Sequence, residues 1–286
     1  MKRISLVGVV GCGLMGSGIA EVCARCRLDV LVAVSSESSL AAGQQRLLRS
    51  LGRSVKAGAI TAADGDAAMS RISFTTDLSY MTDRQLVIEA ITEDETAKLD
   101  MFTLLDKIVE DPDAILASST SSIPVVRLAR VTHRPGRVIG LHFFSPVPAI
   151  PLVELIGSML TDDQVSARAE SFVTEVLCKE VIRAPDRPGF IVNALIVPYL
   201  LAAIRMVESG FASADVVDRG MVLGCSHPVG PLKLADLVGL DVLSSVGSAL
   251  YEEFKEPLYA PPALLIRMVE TNLLGKKTGR GFYDYS

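Results

Sequence analysis

The sequence has no surplus of positive charge: 28 Lys and Arg stand against 33 Asp and Glu, for a formal charge of -5. Such a balance supplies no general field to attract nucleic acid or an anionic membrane, so an anionic ligand must be met by a local basic patch. Long uninterrupted hydrophobic runs are also missing. The opening MKRISLVGVVGCGLMG is broken by glycines and lacks a small-residue cleavage site, which argues against a secretory signal. The most apolar later stretch, GFIVNALIVPYLLAAI, is short for a membrane span and carries Asn193 and Pro198, so a buried helix and a cytoplasmic location are expected. No internal repeat or low-complexity tract appears. The cysteines, Cys12, Cys23, Cys26, Cys178 and Cys225, are odd in number and lack framework spacing, which points to reduced thiols. Cys23 and Cys26 form a CxxC without the second Cys/His pair that zinc requires, so they read as small helix residues and no metal is expected.

What is present suits a globular protein. At 286 residues, 49% hydrophobic and 21% charged, the chain can bury a large core and is expected to divide into two domains. Apolar runs (ISLVGVV, DVLVAV, RISFTT, LVIEAI, AILASS, RVIGLHFF, LVELIG and EVIRAP) alternate with helix-period segments such as SSLAAGQQRLLRSLGRSVKAG and AKLDMFTLLDKIVE. That alternation is the sequence form of a parallel sheet with crossover helices. Near RAPDRPGF two prolines and a glycine break the pattern, and helix-like runs follow. The expected domains are therefore 1–185, an α/β dinucleotide-binding domain, and 186–286, a helical domain whose broad apolar faces suit self-association.

VGVVGCGLMGSGIAEV places Gly11, Gly13 and Gly16 after a strand and before a helix. Gly11 permits the tight turn, Gly13 lets a pyrophosphate approach the backbone, and Gly16 lets helix and strand pack closely. Leu14 and Met15 open the helix, whose N-terminus favours phosphate charge. An acid is expected at the end of the second strand to hold the adenosine ribose, yet Val34, Ser35 and Ser36 stand there. The two serines can bond a ribose hydroxyl or a phosphate, or cap the next helix. No arginine beside Val34 offers a grip for a 2'-phosphate, so NAD and NADP both remain open.

His142 lies at the C-terminal end of a predicted strand, where ligands of open α/β sheets gather. Its imidazole is the side chain most readily tuned to exchange a proton near neutral pH. Glu154 on the next predicted strand could orient and stabilise an imidazolium, and Ser121 in LASSTSS could hold a substrate oxygen beside it. Taken singly, the three also suit a core histidine, a surface glutamate and a helix cap.

These segments together, GCGLMGSGIAE, LVIEAITED, ASSTSSIP, GLHFFSPVP, LVELI, PGFIVNAL, SHPVGPLKLADLVGLD and GKKTGRGFYDY, resemble the (S)-3-hydroxyacyl-CoA dehydrogenases over essentially the whole length, nearest in pattern to bacterial 3-hydroxybutyryl-CoA dehydrogenases. The resemblance implies a Rossmann-like, doubly wound N-terminal domain, an all-helical C-terminal dimerisation domain and a homodimer. It implies oxidation of a short-chain 3-hydroxyacyl thioester to its 3-keto form, or the reverse, within fatty acid metabolism. By motif, Ser121, His142, Glu154 and Asn193 form the catalytic group, with His142 taking the hydroxyl proton, Glu154 stabilising the charged imidazole, and Ser121 and Asn193 holding the oxygen. Glu93 and Lys98 match positions at the nicotinamide end of the cofactor. Lys56 matches a helical-hairpin position that binds the CoA portion, and Arg53 is a neighbour by charge.

Three residues depart from the family pattern. Val34 replaces the ribose acid, Ser119 the asparagine of an Asn-Thr-Ser segment at the cofactor, and Ser145 the asparagine of His-Phe-Phe-Asn-Pro on the substrate side. A hydroxyl reaches less far than an amide and has fewer donors. The alternatives are the same chemistry on an acyl-carrier-protein thioester, hydride transfer on a free hydroxy or sugar acid, and a non-catalytic nucleotide-binding or structural homologue.

Overall fold

The computed structural model describes residues 3–286. The chain forms two units, one ending at Asp186 and the other spanning Arg187–Ser286. In the first, the apolar runs become strands β1 (Leu6–Val10), β2 (Asp29–Ala33), β3 (Ile72–Thr75), β4 (Leu86–Glu89), β5 (Ile115–Ser118), β6 (Val138–Phe143), β7 (Leu152–Ile156) and β8 (Glu180–Ala184). They form one sheet in the order β3-β2-β1-β4-β5-β6-β7-β8. The intervening helices are α1 (Leu14–Arg25), α2 (Glu37–Lys56), α3 (Ala62–Met69), α4 (Glu95–Ile108), α5 (Val125–Ala129) and α6 (Asp163–Ser171). Because β1 is flanked by β2 on one side and β4 on the other, the strand order reverses beside the glycine turn, the place where doubly wound sheets open a crevice.

One feature of the sheet departs from the parallel reading. Pairs from β3 to β6 are parallel, as is β7 with β8, but β6 and β7 run antiparallel. Residues 144–151 are too few for a parallel crossover, which takes roughly a dozen residues or more, so the chain turns back beside its own strand. The reversal pairs His142 directly with Glu154.

The core of this unit shows why the runs are apolar on both faces. Val7, Val9, Val30, Val32, Ile88 and Ile115 are fully buried between helix layers, as are Ile19, Ala20, Cys23 and Ala24 of α1. Cys23 is thus a packing residue, its thiol pushed up by burial, and all five cysteines are free. Ser36 caps α2 by accepting from the Ser39 amide at 3.2 Å, and Thr61 and Asp64 close a capping box on α3.

The second unit holds α7 (Val192–Glu208), α8 (Ala214–Cys225), α9 (Pro231–Val238), α10 (Leu240–Phe254) and α11 (Ala263–Glu270). Leu200, Leu201, Ile204, Leu232, Leu240, Leu250 and Leu265 form its centre. The stretch around Pro198 is the half-buried to buried helix α7, and no single described helix is long and apolar enough to cross a membrane.

Two buried aspartates tie the C-terminal tail to this unit. Asp218 accepts from the Leu232 and Lys233 amides and from the Tyr283 hydroxyl. Asp236, 1% exposed, accepts from the Phe282 and Tyr283 amides and the Tyr285 hydroxyl. Burial first, then the nearby Asp218 charge, raises the Asp236 carboxyl, against the pull of these donors. Asp236→Ala strands the donors, so it should destabilise the unit by about 3 kcal/mol and expose the tail to limited proteolysis. A variant with wild-type Tm and an uncleaved tail would refute this account of the tail.

Candidate active site

At the glycine turn, Gly11 has φ +93° and its amide donates to the Ala33 carbonyl at 2.8 Å, drawing the turn over the end of β2. A Cβ on Gly11 would stand 2.6 Å from the Ala90 carbonyl oxygen, and one on Gly16 would stand 2.0 Å from that of Gly11. Gly13 differs: a Cβ there would meet nothing within 4 Å, and no side chain caps the N-terminus of α1 that begins after it. Open space before uncapped amides fits a pyrophosphate. Leu14 is exposed and Met15 half-buried at this edge, whereas Gly16 is buried under it.

Arg46 of α2 reaches the same turn, its guanidinium donating to the Cys12 carbonyl at 2.5 Å. Sequence reasoning missed it because it lies far from both the glycines and Val34 along the chain. Val34 itself is 8% exposed, and residues 33–36 contain no acid.

On β6, His142 is 5% exposed and its Nδ1 lies 2.6 Å from Oε2 of Glu154, which is fully buried. The Phe144 ring stands edge-on to the imidazole at 4.6 Å between centroids. A carboxylate at this distance fixes the orientation of the ring. Glu154 is therefore an inward cross-strand partner and not a solvent-facing residue.

Between the glycine turn and His142 lies a second group of charges. Glu93 follows β4, and its Oε1 accepts from the Thr120 hydroxyl (2.5 Å), the Ser121 amide (2.9 Å), and the Ser122 amide (3.1 Å) and hydroxyl (2.9 Å). The Ser121 hydroxyl, half-buried, points to the same oxygen at 3.4 Å. Burial is the largest influence on the Glu93 carboxyl and raises it, but Lys98 and these donors prevail and hold it below the usual range. Lys98 is 1% exposed, and its ammonium lies 2.6 Å from Glu89 and 3.4 Å from Glu93. It is a buried cation under the site. Glu89, fully buried, went unnoticed, although an acid ending the apolar run LVIE was a visible signal.

The remaining expected residues are dispersed. Ser119 is half-buried at the end of β5, and its hydroxyl is among the buried polar atoms without a hydrogen-bond partner. Ser145 is exposed, next to the cis Ser145–Pro146 peptide. The loop that carries it is held from below by Lys179, another unforeseen residue, whose ammonium donates to the Val147 and Ile150 carbonyls at 2.8 and 2.6 Å. Lys56 and Arg53 are exposed in the last turn of α2, where the α2–α3 hairpin bends. Asn193 is half-buried in the first turn of α7, in the second unit. Among the described residues no cluster of His, Cys, Asp or Glu could hold a metal ion.

Known proteins resemble this chain over nearly its whole length. Residues 6–187 match the model of the 3-hydroxyacyl-CoA dehydrogenase NAD binding domain, and residues 189–285 match that family's C-terminal domain. The chain is 56% identical over 282 residues to a 3-hydroxybutyryl-CoA dehydrogenase of Mycobacterium tuberculosis, covering 99% of each protein. It is 39% identical to the human mitochondrial hydroxyacyl-coenzyme A dehydrogenase, covering 98% of this chain and 90% of that one. Among solved structures, M. tuberculosis FadB2 superposes with a TM-score of 0.98 at 56% identity, covering all of both chains. The (S)-3-hydroxybutyryl-CoA dehydrogenase PaaH1 of Ralstonia eutropha gives 0.90 at 42% identity, covering 99% of this chain and 100% of that one. A doubly wound sheet with a glycine-turn cradle, a buried histidine–glutamate pair beyond it and two matching domain models together show that the chain belongs to the 3-hydroxyacyl-CoA dehydrogenase family.

Proposed function

We propose that this protein interconverts a short-chain 3-hydroxyacyl-CoA, of the 3-hydroxybutyryl type, and its 3-keto form with a nicotinamide cofactor. The observation that carries the reading is the 2.6 Å contact between His142 Nδ1 and the buried Glu154 carboxylate at the C-terminal end of the sheet. With Nδ1 committed to Glu154, Nε2 is the nitrogen assigned to the substrate. It takes the 3-hydroxyl proton during oxidation and returns it during reduction, while Glu154 stabilises the cation in between. The nicotinamide cofactor, when bound at the glycine turn, would supply the hydride chemistry at C3. Ser121 is assigned to hold the 3-oxygen and Asn193 to polarise it. Gly11, Gly13, Leu14, Met15 and Gly16 would hold the pyrophosphate, with Glu93 and Ser119 at the nicotinamide end and Lys98, buried beneath Glu93, acting there through that carboxylate. Lys56, with Arg53 beside it, would meet the phosphates of CoA, and Ser145 the acyl thioester side. Exposed apolar side chains of the second unit, among them Leu195, Phe211 and Leu223, support a homodimer.

His142→Ala should lower kcat by roughly 10²–10⁴-fold with acetoacetyl-CoA while leaving the NADH Kd near wild type. Undiminished turnover would remove His142 from the reaction.

The glycine turn allows a contrast between binding and stability. Gly13→Ala, at φ -70° and with nothing within 4 Å of the new methyl, should keep the wild-type Tm yet weaken NADH binding. Gly16→Ala should lower Tm, because its methyl would stand 2.0 Å from the Gly11 carbonyl oxygen. Equal NADH affinity in Gly13→Ala and wild type would count against a pyrophosphate at that position.

Cofactor choice is read as relaxed towards NADP. No acid in residues 33–36 is there to repel a 2'-phosphate, and Arg46 brings a cation to the turn. The kcat/KM values for NADH and NADPH should lie within about tenfold of each other, and a preference for NADH above about 100-fold would overturn this reading.

A further inference from the structure

The buried carboxylate that ends β4 has no part in the chemistry assigned so far. Glu89 Oε1 accepts from the Lys98 ammonium at 2.6 Å and from the Ile91 amide at 2.8 Å. Its Oε2 accepts from the hydroxyl of Ser118, its parallel register partner on β5, at 2.6 Å. The Ser118 hydroxyl in turn accepts from the Thr120 amide at 3.1 Å, and the Thr120 hydroxyl donates to Glu93 Oε1 at 2.5 Å. Lys98, 3.4 Å from Glu93 Oε2, completes a closed ring across the ends of β4 and β5.

The ring holds two carboxylates and one ammonium, and the ammonium is much nearer to Glu89. Glu93 Oε1 is saturated by donors from residues 120–122, whereas among the described residues Oε2 meets only the distant Lys98. A buried ammonium cannot remain unpaired. If the charge of Glu89 were removed, Lys98 would close on Glu93 and occupy the one oxygen not already committed.

We infer that Glu89 is a positioning residue for the cofactor: by retaining the Lys98 ammonium, it keeps Oε2 of Glu93 available as an acceptor for the nicotinamide end of the dinucleotide. The inference rests on the proposed reading of this part of the sheet as the nicotinamide end. It explains why a fully buried third charge accompanies a pair that could neutralise itself. It also gives Ser118 a task, since its hydroxyl holds Glu89 and the turn bearing Ser121 in one frame.

The test uses the full chain and direct titration of NADH fluorescence without substrate. The protein contains no tryptophan, so the emission of the bound nucleotide is read without that background. Glu89→Gln preserves shape but removes the charge and leaves an acceptor on one side only, facing either Ser118 or Lys98 and the Ile91 amide, and it should raise the NADH Kd roughly tenfold or more. Adding Lys98→Met should restore part of that affinity, because the cation that would close on Glu93 is gone. A merely structural role predicts losses that add. An NADH Kd for Glu89→Gln within about twofold of wild type, or a double variant that binds no better than Glu89→Gln, would overturn the inference. If Glu89→Gln does not fold, the double variant is compared with Lys98→Met alone: equal Kd values support the positioning role, and a further weakening overturns it. A wild-type chain that does not bind NADH would instead refute the nicotinamide reading itself, which keeps the two failures distinct.

Discussion

The site depends on the direction in which one strand runs. An imidazole and a carboxylate, both withdrawn from water, meet because β7 returns antiparallel to β6 and sets His142 opposite Glu154. Side chains on a strand alternate between faces, so a slip of one residue would send Glu154 to the other side of the sheet. The short connection at residues 144–151 enforces the reversal, and Lys179 fastens that connection through two of its carbonyls. A buried carboxylate costs several kcal/mol when unpaired, and here that penalty is offset by the imidazole 2.6 Å away.

The strand ends beside this pair follow the same logic. The reversal of strand order between β2 and β4 leaves room above β1 for the uncapped start of α1, where backbone amides offer partial positive charge without any side chain. One strand further on, β4 and β5 end in Glu89 and Ser118, which stand in register and bond directly. The uncapped helix start, the closed ionic ring and the histidine–glutamate pair, to which the proposed function gives the phosphates, the nicotinamide and the substrate, thus follow one another along one end of the sheet strands. Each is fixed by strand register, so the geometry inherits the rigidity of the sheet core.

Much of this was legible in the chain itself. Each apolar run marked as a strand became one, because strands buried on both faces are apolar throughout and the intervening segments carry helix period. Strand direction was not legible: LVELI has the same composition whichever way it runs, and only the length of the preceding connection shows that it must turn back. The glycine turn was readable because backbone conformation limits Gly11, and close packing limits Gly16, to glycine. Glu154 reads as a surface charge in isolation and nothing local marks Lys98 as buried, yet both are fully or almost fully buried, since a charged residue's burial is decided by partners distant along the chain. The same distance hid Glu89, whose bond to Ser118 spans 29 positions, and Arg46, which reaches Cys12 across 34.

The departures from the family pattern acquire meaning from where they fall. Ser121, Glu93, His142 and Glu154 are each engaged in hydrogen bonds that other side chains or strands depend on. The side chains of Val34, Ser119 and Ser145 are not: Val34 is an apolar residue of the core cluster, the Ser119 hydroxyl has no partner, and Ser145 is exposed beside the turn. A substitution inside the networks would leave buried groups stranded and change several side chains together, whereas one at their rim alters only what a ligand meets. On the proposed function, side chains of that second kind bear on which ribose, nicotinamide amide or acyl group is tolerated and leave the His142–Glu154 pair untouched. That reading sets the difference between this chain and the family pattern in recognition, while the pair stays locked by the strand that turns back to complete it.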